Sequence, residues 1–265
     1  MDALTTFTEP REFERATTLL GRLGIAHTVI SPEPGYARVG CPALVLADEE
    51  KGTFLASGGT DVMCAGWVDY RPPAHGVLAE APREFAEDIV GQVAVVVLAP
   101  CVADLDRLRL TAHFSGDVGD ALPYLNGVLP QASYIATLPV LTFMDGHRMV
   151  SLYRDRIAVA KADDIVDAWA SLERLRCLVN DTWSRRAEIT PSLELHRRPP
   201  ALEIYKRLPR TNCKECGEPT CTAFAWAVWR GAADIHACCP VFGGERGDLR
   251  EALLSVCSGL GLVDV

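Results

Sequence analysis

Half of the cysteines in this chain lie in one short segment near its C-terminus. The chain has ten cysteines in 265 residues. Thiols bunched in this way indicate metal ligation, because cysteines that serve only as small core residues are usually scattered along a sequence. The segment therefore predicts a metal centre. Its five cysteines are Cys213, Cys216, Cys221, Cys238 and Cys239.

The first three of these cysteines have a spacing that is typical of metal ligands. Cys213 and Cys216 form a Cys-x-x-Cys pair, which places two thiolates on one tight turn. A glycine and a proline then bend the chain so that Cys221 can return to the same centre. Thr220 is placed to cap a helix that begins at Cys221, and the positive end of that helix dipole favours an anionic, thiolate-bound cluster.

A structural zinc site is the alternative to an iron-sulfur cluster. Zinc sites with four thiolate ligands usually combine two Cys-x-x-Cys pairs. The second half of the segment has no such pair, so the spacing favours an iron-sulfur cluster held by cysteines. We expect Phe224, Trp226 and Trp229 on the helix to cover this cluster, because shielding from water is one factor that sets its reduction potential.

The segment LPRTNCKECGEPTCTAFAWAVWRG, followed by CCP, resembles the small four-cysteine iron-sulfur domain of the corrinoid iron-sulfur protein large subunit. The same domain recurs in the ferredoxin-like subunit of the Rnf membrane complex. The words Thr-Asn-Cys, Glu-Cys-Gly, Pro-Thr-Cys and Ala-Phe-Ala all match. The resemblance implies one [4Fe-4S] cluster as cofactor, with Cys213, Cys216 and Cys221 as three of its ligands.

A wider resemblance extends over residues 105–245. The phrases ALPYLN, LTFMDGHRMVSLYRDRIAVAKADD and LEIYKRLPRTNC occur in this order, as they do in a family of stand-alone (Fe-S)-binding proteins. This similarity implies that the cluster domain follows a folded central part of the same chain.

The fourth ligand has two candidates in this sequence. In the family it follows a helical glycine after six intervening residues and precedes a proline. Here the spacing from Gly231 selects Cys238, whereas Cys239 is the residue that precedes Pro240. Because chain length sets the reach of a ligand more than the next residue does, we predict Cys238 and retain Cys239 as the alternative.

The hydrophobic pattern divides the chain into several parts and predicts a mixed α/β and α+β fold. Residues 1–104 read as an N-terminal α/β domain, with a helix from residue 10 that Gly24 ends. Residues 105–187 read as a central α+β sandwich, with helices on one face of an antiparallel sheet and a long helix over residues 163–183. Residues 188–200 contain three prolines and read as a linker, and residues 201–265 as a small, mostly helical cluster domain.

Composition restricts the partners that the chain can have. The formal net charge of -9 argues against nucleic acid, since nonspecific binding to it requires a basic surface. The first residues lack the pattern of a secretory signal, and the apolar run at residues 93–100 is too short to cross a bilayer. We therefore expect a cytoplasmic protein. No glycine-rich phosphate loop and no paired-histidine metal motif occurs.

The cysteines of the N-terminal part have no role that the sequence defines. Cys101 lies just beyond a buried strand, and residues 10–46 faintly resemble small selenium- or sulfur-carrier domains that have a cysteine near Cys41. Cys41, Cys64 and Cys101 could form a shared thiol site, but free cysteines also serve as small core residues.

A single cluster without a flavin or nucleotide site favours an electron-transfer or accessory protein over a stand-alone enzyme. The family resemblance implies a low-potential one-electron carrier whose partner protein holds a corrinoid or another metallocofactor of one-carbon metabolism. A basic collar before the ligands could dock an acidic redox partner, or it could be an ordinary solvated face. The collar residues are Lys206, Arg207, Arg210 and Lys214.

Two other functions remain open at this level. The chain could be a maturation or sulfur-handling factor for a metalloenzyme, in which case we expect Cys41, Cys64 and Cys101 to converge. Alternatively, the cluster could only stabilise the C-terminal fold of an interaction module. The sequence defines neither the oligomeric state nor the reduction potential.

Overall fold

The computed structural model describes residues 2–129, 131–194, 200–258 and 262. The described strands are β1 (Asp2–Thr6), β2 (Thr28–Ile30), β3 (Ala43–Ala47), β4 (Val68–Asp69), β5 (Val93–Cys101), β6 (Asp104–Phe114), β7 (Ser133–Ile135), β8 (Val140–Asp145), β9 (Arg148–Tyr153) and β10 (Arg156–Ala162). The described α-helices are α1 (Pro10–Leu23), α2 (Asp48–Ala56), α3 (Leu122–Val128), α4 (Ile165–Ser184), α5 (Ala201–Lys206), α6 (Cys221–Trp229), α7 (Cys239–Phe242) and α8 (Arg250–Ser258). None of these helices has the length and apolar character that a bilayer crossing needs.

The N-terminal sheet has four antiparallel strands in the order β2-β3-β1-β4. Its strands and helices alternate as β-α-β-β-α-β, which is the split β-α-β arrangement. The predicted helix is α1, and Gly24 ends it in the left-handed conformation with φ 67°, as the glycine signal indicated. Strand β1, which lies in the interior of the sheet, is not among the elements that the sequence predicts.

The second sheet has six antiparallel strands in the order β5-β6-β10-β9-β8-β7. The predicted long helix is α4, and the Asp164 carboxylate caps it by accepting hydrogen bonds from the amides of Val166 and Asp167. Trp169 on α4 is fully buried in the core that covers this sheet. The expected antiparallel sheet with helices packed against it, and with it the mixed α/β and α+β class, is confirmed.

This core extends across the predicted boundary at residue 104. It includes Leu4 and Val68 of the first sheet together with Leu141 and Val159 of the second, and β5 pairs with β6 as one hairpin. The division of the chain into domains at residues 104, 187 and 200 stays a prediction. In the predicted linker, residues 188–194 and 200 contain no helix or strand, and residues 195–199 lie outside the described residues.

The C-terminal helices enclose a hydrophobic core of their own. Ile204 of α5, Phe224 and Val228 of α6, and Leu253 of α8 are nearly completely buried in it. A small helical unit therefore follows the second sheet, as the sequence predicts.

Gly231 lies where this helical unit packs against the second sheet. Gly231 ends α6 with φ +68°, and its amide donates a hydrogen bond to the carbonyl oxygen of Val228. An added Cβ at this position would lie 3.2 Å from the Cα of His147, in the turn between β8 and β9. Both the backbone conformation and the close approach of the two chain segments therefore require glycine here.

We expect Gly231→Ala to destabilise the protein more than Gly244→Ala does. Gly244 also has positive φ, but an added Cβ there would meet nothing within 4 Å. Left-handed backbone alone costs alanine about 1–2 kcal/mol, and crowding against His147 adds a cost of about 1–3 kcal/mol. Denaturant unfolding followed by circular dichroism measures the difference. Equal losses in the two variants would contradict the contact.

Candidate metal centre

The loop that carries the first two clustered cysteines has an unusual backbone. Residues other than glycine seldom adopt positive φ, and such outliers concentrate at functional sites. Loops of this kind point successive amides into a concave surface that suits anions, including iron-sulfur clusters. The residues with positive φ around Cys213 and Cys216 are Arg210 (60°), Asn212 (52°), Lys214 (67°) and Gly217 (84°).

Two side chains fix this loop to the start of α6. The Asn212 side-chain oxygen accepts a hydrogen bond of 2.8 Å from the Cys221 amide. Thr220 accepts one of 3.0 Å from the Ala223 amide, so the predicted helix cap is confirmed. The role of Asn212 escaped the sequence analysis, although asparagine tolerates left-handed backbone better than most residues and its side chain can cap a helix.

The clustered cysteines differ in exposure. Cys221 and Cys238 are buried, Cys216 is half-buried, and Cys213 and Cys239 are exposed. Burial first, and then the charges of the Cys221, Cys216 and Cys213 thiols, raise the pKa of the Cys238 thiol to about 11. The structure therefore brings Cys238 close to Cys213, Cys216 and Cys221.

Cys239 is oriented differently from its neighbour. Its exposed thiol donates a long hydrogen bond of 3.7 Å to the Ala237 carbonyl oxygen. Successive side chains in turn backbone point in different directions, which explains why only one of the two cysteines is buried with Cys221.

Four thiols that lie near one another can serve as the ligands of one iron-sulfur cluster. In a [4Fe-4S] cluster each cysteine binds a different iron. The left-handed backbone around Cys213 and Cys216 suits the negative charge of such a group.

The aromatic residues of α6 divide between core and solvent. Phe224 is 1% exposed and belongs to the same core as Cys221 and Cys238, whereas Trp226 is 52% exposed. Trp226 lies five residues after Cys221, which is about 140° around a helix. Trp226 therefore lies on a different face of α6 from Cys221, and the expectation that it shields the centre stays a prediction. Trp229 is half-buried and packs edge-on against Trp226 at 5.5 Å.

The predicted basic collar is partly neutralised. Glu203 forms ion pairs with Lys206 at 2.7 Å and with Arg207 at 2.9 Å, and its pKa is lowered, first by the hydrogen bond from Lys206. Glu203, which lies one helical turn before both basic residues, is not part of the predicted collar. Arg210 and Lys214 have no carboxylate partner within the described part of the chain, so they carry what remains of the collar.

Two of the three N-terminal cysteines share one core, and the third lies at the end of another strand. Cys41 and Cys64 both belong to the core around Phe7 at the end of β1, and Cys101 is buried at the end of β5. Burial raises the pKa of Cys41 to about 12 and also raises the pKa of Cys64. The three thiols form no metal-binding group, since none exists among the described residues.

Comparison with known proteins supports the metal centre. A family model described as "Putative Fe-S cluster" matches residues 208–240. The corrinoid/iron-sulfur protein large subunit of Moorella thermoacetica is 57% identical over 51 residues, which are 19% of this chain and 11% of that protein. The gamma 1 subunit of the acetyl-CoA decarbonylase/synthase complex of Methanosarcina thermophila is 79% identical over 40 residues, 15% of this chain and 8% of that protein.

A third relative comes from a different kind of assembly, the ion-translocating oxidoreductase complex of Thiobacillus denitrificans. One protein of that complex is 47% identical over 49 residues, 18% of this chain and 25% of the relative. The chain thus spans a quarter or less of the length of these relatives. No solved structure matches it significantly. The matches fall on the cysteine segment, and this segment is therefore an iron-sulfur cluster domain within an iron-sulfur protein.

Proposed function

We propose that the chain is a one-electron carrier that passes low-potential electrons to a partner protein holding a corrinoid or another metallocofactor. The observation that supports this most directly is the convergence of four thiols beside the concave loop. The proposed ligands of its [4Fe-4S] cluster are Cys213, Cys216, Cys221 and Cys238. When bound, the cluster supplies reversible one-electron chemistry.

The relatives favour a protein partner. By their names, all three relatives are subunits of larger assemblies. The first belongs to a corrinoid/iron-sulfur protein, the second to an acetyl-CoA decarbonylase/synthase complex and the third to an ion-translocating oxidoreductase complex. A role beside a corrinoid or metallocofactor protein in one-carbon metabolism would agree with the first two. The ten free cysteines suit a reducing compartment such as the cytoplasm.

The exposure of the ligands suggests where the partner docks. Cys213 is exposed, whereas Cys221 and Cys238 are buried, so the Cys213 side of the centre is the one that another protein can approach. Arg210 and Lys214 flank this side and have no acidic partner within the described residues. An acidic surface on the partner would complement them.

The first test is the cluster itself and its redox activity. Protein purified without oxygen should contain about four irons and about four sulfides per chain, and it should be reduced reversibly by one electron. Metal and sulfide analysis, followed by a redox titration with electron paramagnetic resonance, checks both. Stoichiometric zinc without sulfide would contradict the cluster, and a cluster that cannot be reduced reversibly would indicate a structural role.

The second test separates the two candidates for the fourth ligand. Cys238→Ser should lower the iron content and the stability of the cluster, because the buried thiol faces the other three. Cys239→Ser should leave both near the wild-type values, because its thiol is exposed and turned away. Iron content after anaerobic reconstitution is the measurement. The reverse ranking would show that the cysteine before Pro240 is the ligand.

A maturation or sulfur-handling role has less support. Such a role needs a reactive thiolate, which requires exposure and a lowered pKa. Burial instead raises the pKa of Cys41 and Cys64, and Cys101 is 3% exposed. The thiols of Cys41 and Cys64 therefore stay protonated at neutral pH, and Cys41 and Cys101 are poorly accessible.

The third test concerns these N-terminal cysteines. A triple variant with alanine at Cys41, Cys64 and Cys101 should retain its full iron and sulfide content, because these thiols lie outside the proposed ligand set. Alanine is chosen because serine would bury a hydroxyl group in an apolar core. Loss of iron from a variant that still shows wild-type circular dichroism would make the N-terminal thiols part of the metal chemistry.

A further inference from the structure

The second sheet has an outward face on the side away from α4. Its inward side chains, such as Leu141, pack in the core with Trp169 of α4, and alternate residues of each strand point the other way. On that outward face Val97 is 41% exposed, Ile135 45% and Met149 50%. An antiparallel sheet face that meets only water usually carries polar side chains. Three exposed apolar side chains on one face therefore favour a protein interface.

The strand register aligns the outward residues of this face in three rows. The flanking rows contain Arg109 and Met149 on one side, and Arg156 and Tyr153 on the other. No aspartate or glutamate belongs to any of the three rows. The middle row crosses all six strands without a charge and consists of Val97, Thr111, Ala158, Ser151, Thr142 and Ser133.

The polar groups of the face are arranged as in a protein interface, with an uncharged centre and charges at the rim. The hydroxyls of Thr142 and Ser151 share a hydrogen bond of 3.1 Å, so both keep a partner when water is excluded. Arg109 Nε donates a hydrogen bond of 3.2 Å to the carbonyl oxygen of Pro100 on the edge strand β5. Arg156 forms an ion pair of 3.1 Å with Asp155, beside the outer row.

The centre of the face has a shallow depression. Its volume is about 140 Å³, and its lining includes Val97, Thr111, Ser151 and Ala158. Small-molecule sites usually enclose about 300–1,000 Å³. The depression therefore suits a side chain of a protein surface better than a small ligand.

The area of the face approaches that of a stable interface. Six strands spaced about 4.8 Å apart and three rows about 6.7 Å apart cover a projected area of about 550 Å². Side chains that project from the sheet raise the accessible area above this value, toward the area of about 800 Å² per partner that a stable interface needs.

Charge indicates which partner fits the face. The chain has a formal net charge of -9, so two copies repel each other over most of their surfaces. This face has no carboxylate in its three rows, and two copies can approach here with the least repulsion. A flat, uncharged surface also requires a partner of the same kind, which a second copy supplies.

We propose that the chain forms a dimer in which the outward faces of the second sheets of two copies pack on each other. The dimer has two-fold symmetry, with its axis along the middle row, so that each residue near Ser151 meets its own counterpart. Met149 of each copy then faces Tyr153 of the other. The dimer does not depend on the proposed electron-transfer role.

The test is the mass of the full-length protein in solution, measured by analytical ultracentrifugation without oxygen and with a thiol reductant. The reductant prevents disulfide links through the exposed Cys213 and Cys239. We expect twice the mass of one chain at concentrations of about 10 μM and above, since interfaces of this area bind in the micromolar range or more tightly. A protein that remains monomeric at these concentrations would overturn the proposal.

Three variants locate the interface. Ser151→Arg and Met149→Lys replace side chains that face solvent in the single chain, so both should fold, as circular dichroism can verify. Each should weaken dimerisation about tenfold or more, because it would bury an unpaired charge. Ser184→Arg is the matched control, since Ser184 is exposed at the end of α4, and it should dimerise like the wild type. A dimer that persists in both face variants, or an equal loss in the control, would overturn the proposed interface.

Discussion

Four thiols held close together repel one another once they lose their protons. Burial first, and then the charges of the neighbouring thiols, raise the pKa of Cys238 to about 11, so without a cation this thiol stays protonated at neutral pH. A bound iron-sulfur cluster would supply positive charge that stabilises the thiolates. The left-handed loop at residues 210–217 would direct backbone amides toward the negative charge of the cluster. The bond from the Cys221 amide to Asn212 fixes this loop to the start of α6.

The second sheet supports the buried side of this centre. Gly231 starts the segment that ends at Cys238, and it rests on His147 in the β8–β9 turn. Arg107 contacts Asp163 and donates a hydrogen bond of 3.2 Å to His147. Burial, followed by the charges of Arg148 and Arg107, lowers the pKa of His147, so this ring stays neutral at neutral pH. The contact that positions the segment is therefore insensitive to small changes in pH.

The sequence predicted the features that depend on local spacing. The cysteine motif, the Thr220 cap, the end of α1 at Gly24 and the amphipathic α4 all depend on residues a few positions apart. The features that it did not predict depend on pairing between distant residues or on which face of a helix packs against the core. The strand β1 is defined by β3 and β4, and the outward direction of Trp226 follows from the face of α6 that the core selects. Glu203 could have been found, because its spacing to Lys206 and Arg207 is that of helical ion pairs; Asn212 could not, because its bond to Cys221 requires the folded loop.

The unequal exposure of the proposed ligands gives the centre two distinct sides. On the solvent side, Cys213 and Lys214 present sulfur and positive charge to an approaching protein, and changes there would act on encounter and docking. On the buried side, the segment from Gly231 to Cys238 rests on a turn that is backed by the charges of Arg107 and Arg148. Charge and hydrogen bonding around cluster sulfurs set the reduction potential. Charged residues of the second sheet can therefore act on the potential without altering the docking surface.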